Sequence, residues 1–298
     1  MKKVLLTGGT GLIGQALLPH LIQAGYEPLI LSRRPHSKPS MIPWNGREMP
    51  AHLTGEGIVA AINLVGASIA GRRWNQAYKQ ELWESRVEPT KNLARWLSKE
   101  APGARLISAS AVGYYGLSLS QERLTESSPP GSDFLAGLAQ AWEAAAYEAP
   151  TPPTILRLGV VLSRAGGAFP QLLKGFQLGL GTYFAPGIQG FSWIHIEDVV
   201  RAIMWSLEQT DRRGVYNMTA PEPISAKALA QAILKRKKGC FLFPIPETVA
   251  QLALGELAMT LIRGSYVVPQ RLQAEGFSFR YPTIDLALNE LLPSSYGR

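Results

Sequence analysis

The chain has 298 residues, 46% of them hydrophobic and 17% charged, with a formal net charge of +8. At roughly 150 residues per domain this allows one large α/β domain or two modest ones, and it excludes a disordered chain. A lone cysteine, Cys240, excludes an intrachain disulfide framework, and four scattered histidines offer no zinc spacing, so no metal is expected.

Val4-Leu5-Leu6 behind two lysines is too short for the apolar region of a secretory signal. No stretch reaches the ~20 apolar residues of a membrane span. The expectation is a soluble, cytoplasmic protein with no membrane partner. Val4–Thr7 is a β-type run that Gly8 ends. From Gly11 the apolar positions take helical spacing (Leu12, Ile13, Ala16, Leu17, Leu21), and Gly25 closes that helix. Leu29–Leu31 and Ile58–Val65 read as the next strands. Gln76 to Lys99 reads as helical, with Pro89 as its break. Arg105–Ser110 is a strand, Asp133 to Glu148 a helix with Asp133 as N-cap, and Thr154–Leu158 a strand.

Strands alternating with helices predict a parallel sheet covered on both faces, with ligands at the carboxyl ends of its strands. Past Gly159 the texture changes. Frequent glycines between Gly166 and Gly190 predict mobile loops over a site. Trp193–Ile196 reads as a strand, Glu197–Glu208 as a helix and Val215–Met218 as a strand. From Pro221 helices dominate, punctuated by Pro244, Pro246, Pro269 and Pro282. The basic run Lys235–Lys238 follows a helical pattern and precedes Gly239, as cations at a helix C-terminus do. It lacks interleaved aromatics, so a nucleic-acid partner is not expected.

The sharpest signal is Thr7-Gly8-Gly9-Thr10-Gly11-Leu12-Ile13-Gly14. Glycines at 8, 11 and 14 follow a strand and open a helix. Gly8 permits the tight turn, Gly11 lets the backbone approach a pyrophosphate, and Gly14 lets the helix pack close to the sheet. The helix N-terminus then offers free N–H groups to the phosphates. At the end of the second strand, where an NAD site places Asp or Glu, stand Ser32, Arg33 and Arg34. They suit the 2′-phosphate of NADP(H), which a guanidinium can hold through two directed bonds.

These stretches, with Arg72-Arg73-Trp74, Ser85-Arg86-Val87, Ser108–Gly116, Asp133-Phe134-Leu135, Trp142-Glu143, Arg157–Leu162, Gly166-Gly167, Ser192–Asp198, Ala220–Pro223 and Leu272–Phe279, cover nearly the full length. Through them the chain resembles the extended short-chain dehydrogenases/reductases, in an atypical branch described as nucleoside-diphosphate-sugar epimerase-like. Some members of that branch carry a cell-division inhibitor label, for which no residue here speaks. The resemblance implies a Rossmann doubly wound sheet over residues 1–165, with 193–220 returning to it. A smaller, mainly helical substrate domain would occupy 166–298. It also implies that Asn63, Val65 and Gly66 line the cofactor and that Ser108 and Ser110 end the fifth strand near the nicotinamide.

The superfamily's acid–base pair is a Tyr-x-x-x-Lys, in which the lysine eases proton exchange by the phenol. Anchoring that helix on Glu143 puts Leu135 and Ala139 at the two positions. The pair is absent. Ser110 and Tyr115 remain as candidate catalytic groups. Tyr114, His195 and Asp198 read more readily as packing and bracing residues. Two functions stay open. One is an NADP(H)-dependent epimerase or oxidoreductase acting on a small or nucleotide-linked polar substrate. The other is a non-catalytic NADP(H)-binding sensor or partner-binding protein. A homodimer is compatible with either.

Overall fold

The computed structural model describes residues 2–33, 40–209 and 211–292. The chain forms two compact units. One comprises Met1–Tyr114, Phe134–Arg157 and Val200–Tyr216; the other comprises Tyr115–Asp133, Leu158–Val199 and Asn217–Arg298.

The first unit is built on the apolar runs read above. Val4, Leu5 and Leu6 are fully buried in β1 (Lys2–Thr7). The chain continues through α1 (Leu12–Gln23), β2 (Tyr26–Ser32), β3 (Met41–Pro43) and β4 (Ile58–Asn63). Two helices follow, α2 (Gln76–Glu84) and α3 (Val87–Glu100), then β5 (Arg105–Ala111) and α4 (Phe134–Ala146). The seven-stranded sheet has the order Gly214–Met218, Thr154–Leu158, β5, β4, β1, β2, β3. β1 pairs parallel with β2 and β4, β2 with β3, and β4 with β5. Strand order therefore reverses between β1 and β4, which makes their carboxyl ends the switch point where such sheets bind ligands. On one face Thr90, Leu93, Ala94 and Leu97 form the buried stripe of α3 at helical spacing. Leu93, Ala94 and Leu97 pack with Leu5, Ala61 and Leu106. Arg105 donates to the carbonyls of Ser206, Leu207 and Gln209, satisfying the end of the helix Ile196–Glu208.

Two boundaries differ from the sequence reading for clear reasons. The break between α2 and α3 falls at Ser85-Arg86, and Pro89 sits inside the first turn of α3. A proline there gives up an N–H that has no intrahelical acceptor, so it starts a helix rather than breaking one. In the second unit, Phe241–Ile245 forms a strand paired parallel with Leu180–Phe184 where helix was expected. The two strands form a sheet of their own, so each has an open edge that tolerates Pro244.

The second unit packs its core around Trp193, Phe169, Phe176, Leu229, Ile233 and Leu288. Trp193–His195 pairs parallel with Val160–Leu162. The basic run ends the helix Ala226–Arg236, and Lys237 Nζ donates to the Phe176 carbonyl. Among the described residues no helix is long and apolar enough to cross a membrane.

Candidate functional site

The glycine turn separates positions where a Cβ would strike its neighbours below 3.0 Å from one where a single atom comes near, at 3.2 Å. Gly8 has φ +68°, and a Cβ there would stand 2.4 Å from the Leu64 carbonyl oxygen. At Gly14 it would stand 2.5 Å from the Gly8 oxygen and from the Gly9 Cα. At Gly9 it would meet the Ile30 side chain at 2.8 Å. At Gly11 only the Gly8 oxygen comes near, at 3.2 Å. Thr10 and Gly11 are exposed, Leu12 and Ile13 half-buried. Gly11 caps α1 in extended conformation, with no side-chain cap and no acidic residue in the first turn. The result is a helix end whose N–H groups and partial positive charge are open to an anion. It lies at the switch point, and it fits a dinucleotide pyrophosphate. Ser32 ends β2 and Arg33 follows it, exposed. Arg34 lies outside the described residues.

Behind this turn, three of the expected cofactor residues bond to one another. Thr7 Oγ1 donates to Asn63 Oδ1 at 2.7 Å, and Asn63 Nδ2 donates to Ser108 Oγ at 3.0 Å and Thr90 Oγ1 at 2.7 Å. Trp142 Nε1 joins at Thr90 Oγ1, 2.9 Å away. Thr7, Asn63, Thr90 and Ser108 are all at most 1% exposed. These side chains tie β1, β4, β5, α3 and α4 together, so what reaches a ligand from this layer is the backbone beyond it. Val65 is half-buried and Gly66 exposed in the loop after β4.

That loop is gripped from the helix break. Ser85 Oγ accepts from the Ala67 N–H at 3.0 Å, and Arg86 Nη2 donates to the Ala67 carbonyl at 2.7 Å. Burial pushes the Arg86 guanidinium down to about 10. Sequence reasoning did not single out this residue, which stood there only within the stretch Ser85-Arg86-Val87.

At the end of β5, Ser110 Oγ donates to Glu143 Oε1 at 2.6 Å. Arg157 holds both oxygens of Glu143 at 2.8 Å through Nε and Nη2. Ser110, Glu143 and Arg157 are all buried, and the Tyr114 ring lies 3.3 Å from the Arg157 Cζ. Leu135 packs toward the turn after β5: a Cβ on Gly113 would stand 3.2 Å from its own Cβ. Ala139 is buried. The helix face that carries Tyr and Lys in the family thus carries two groups without a transferable proton. Sequence reasoning missed the Glu143–Arg157 pair: one charge lies inside the apolar helix Phe134–Ala146 and the other inside the apolar strand Thr154–Leu158, and nothing along the chain joins them.

In the second unit, Tyr115 is buried and donates to Asn217 Oδ1 at 2.7 Å. Asn217 in turn donates from its backbone N–H to Glu126 Oε1 and from Nδ2 to the Val268 carbonyl. His195 is buried, with Nε2 3.0 Å from Glu290 Oε2 and Nδ1 accepting from the Glu197 N–H. Asp198 accepts from the N–H groups of Arg280 and Tyr281, bracing the segment that precedes the last helix.

Residues 4–219 match the model of the NAD dependent epimerase/dehydratase family, and residues 245–291 match a domain of unknown function, DUF1731. The chain is 38% identical over 301 residues to the epimerase family protein SDR39U1 of Bos taurus, covering 97% of this chain and 99% of that protein. The crystal structure of human SDR39U1 (isoform 2) with NADPH superposes with a TM-score of 0.87 at 35% identity, covering 97% of this chain and 99% of that one. The nucleoside-diphosphate sugar epimerase of Corynebacterium glutamicum gives a TM-score of 0.81 at 31% identity, covering 98% of this chain and 58% of that one.

Proposed function

The chain belongs to the NAD dependent epimerase/dehydratase family, and from that premise we propose that it is an NADP(H)-binding protein of the epimerase and oxidoreductase type. The observation that carries the reading is the uncapped α1 terminus, opened by Gly11, at the switch point of the sheet. The α1 N–H groups would hold the pyrophosphate. Ser32 and Arg33, with Arg34, would hold the 2′-phosphate. The loop Leu64–Ala67 would border the nicotinamide half. The bound dinucleotide would supply hydride transfer. In this assignment residues 1–165, with the return over 193–220, serve the dinucleotide, and 166–298 serve a polar substrate. The name of the C. glutamicum neighbour directs attention to nucleotide sugars.

Arg33→Ala tests the cofactor assignment. It is expected to weaken NADPH binding by about 1–3 kcal/mol, the worth of a charge-assisted hydrogen bond, and to leave NADH unchanged. Equal effects on both, or none, would remove Arg33 from the site.

A second reading, an NADP(H)-binding sensor without chemistry, is favoured by Leu135 and Ala139. With the Tyr/Lys pair absent, proton-transfer help worth about 10²–10⁴ in rate is missing. If a reaction occurs, we assign its proton handling to Ser110 and Tyr115. The Ser110 hydroxyl donates its hydrogen bond to Glu143, which leaves its lone pairs to accept a hydrogen bond from a substrate hydroxyl. Following NADPH absorbance across nucleotide sugars and carbonyl compounds should give slow turnover at best, lowered further by Ser110→Ala or Tyr115→Phe. Fast turnover that survives both changes would overturn the assignment.

A further inference from the structure

Arg86 is a buried cation with no anion beside it among the described residues. Nη2 donates to the Ala67 carbonyl at 2.7 Å, and Nη1 to the Leu82 carbonyl at 3.1 Å and Ser85 Oγ at 3.4 Å. Its Cζ lies 5.3 Å from the centre of the Trp142 ring. Every one of these partners is neutral. Buried charges are normally paired, because an uncompensated one carries a desolvation cost of several kcal/mol. Its pKa of about 10 still leaves it charged at neutral pH.

Its position is specific. A Cβ on Gly66 would stand 3.0 Å from Cζ and 3.1 Å from Nε and Nη2, so the guanidinium lies directly against the backbone of the loop after β4. A dinucleotide sheet has two mononucleotide halves about its switch point. The half with β2, Ser32 and Arg33 takes the adenosine in the reading above. The loop after β4 belongs to the other half, which takes the nicotinamide.

We propose that Arg86 biases this site toward the reduced cofactor. The inference rests on the dinucleotide reading. A nicotinamide ring carries one positive charge when oxidised and none when reduced, whereas the phosphates are the same in both forms. An uncompensated cation beside the nicotinamide half therefore repels the oxidised ring and leaves the reduced ring untouched. Two unit charges about 10 Å apart at an effective dielectric of about 20 shift an affinity ratio by on the order of tenfold. In a mixed cofactor pool the protein would then reside in its NADPH form.

The readout is the ratio of dissociation constants for NADP⁺ and NADPH, measured by calorimetry on the full chain. Arg86→Gln is expected to lower that ratio by about three- to tenfold. Arg86→Lys, which keeps the charge, should hold it near the wild-type value. Loosening of the Ala67 loop alone would weaken both forms equally and leave the ratio unchanged, which would contradict the proposal. Should Arg86→Gln fail to fold, Ser85→Asp decides: it keeps an acceptor for the Ala67 N–H and gives Arg86 a counter-ion, so the ratio should fall as well. Saturable binding with an unaltered ratio in the folded variants overturns this inference alone. Absence of binding of either form to the wild type overturns the dinucleotide reading and this inference with it.

Discussion

Replacing Arg157 with leucine should destabilise the protein by about 3–5 kcal/mol, the usual consequence of stranding one partner of a buried ion pair. The carboxylate left behind is that of Glu143, buried, with the Ser110 hydroxyl alone still donating to it among the described residues. At about 2–4 °C per kcal/mol for a unit of this size, the midpoint should fall by on the order of 10 °C. The Tyr114 ring would lose its cationic partner in the same change. The double variant Arg157→Leu with Glu143→Leu should unfold at a higher temperature than Arg157→Leu alone, since two apolar groups need no compensation. Thermal unfolding by circular dichroism checks both. A single variant within about 1 kcal/mol of wild type would show that the pair is solvated and unimportant to the fold.

Gly11→Val should abolish dinucleotide binding with little effect on folding. Its Cβ meets nothing closer than the Gly8 oxygen at 3.2 Å, whereas the same atom at Gly14 stands 2.5 Å from backbone. A branched side chain at position 11 fills the space over the open helix end. Loss of two charge-assisted hydrogen bonds to a pyrophosphate, each worth about 1.5–3 kcal/mol, lowers affinity by roughly 10²–10⁴. Gly14→Ala should instead unsettle the α1 packing itself and lower the unfolding midpoint. Undiminished NADPH binding by a folded Gly11→Val protein would move the phosphate site elsewhere.

Much of the first unit was legible because its signals are local and redundant. β1, the glycine turn and α1 follow one another without interruption, and each uses a different rule: an apolar run, a turn that needs glycine, and a helical period. The positions of β4, β5 and Thr154–Leu158 likewise stood out as short apolar runs between helices. Less was readable where tertiary context decides. Pro89 looked like a helix breaker, and its first-turn position could be known only once Ser85-Arg86 was seen to end α2. Pro244 was read as punctuation among helices, whereas it lies in a strand with an open edge.

The site divides in the same way. The glycine positions and the missing Tyr/Lys pair were readable because each follows from spacing along one element. The couplings of Ser110 to Glu143 and of Glu143 to Arg157 were not, since they join residues 33 and 14 apart on different elements. Thr7 was named with the glycine run, and Asn63, Ser108 and Ser110 were named through the family resemblance, as groups near the cofactor. Their hydroxyls and amide instead meet internal partners, which is how buried polar groups are usually satisfied. Arg86 was quoted only as part of a matching stretch, because an unpaired buried charge has no signature along the chain.

The most direct test of the account is a calorimetric titration of the wild-type protein with NADPH and, separately, with NADH. The open α1 terminus together with Ser32 and Arg33 predicts saturable binding of NADPH that is tighter than that of NADH by at least about tenfold, the worth of one charge-assisted bond to the 2′-phosphate. Equal affinity for the two, tighter NADH, or no saturable binding of NADPH would contradict it.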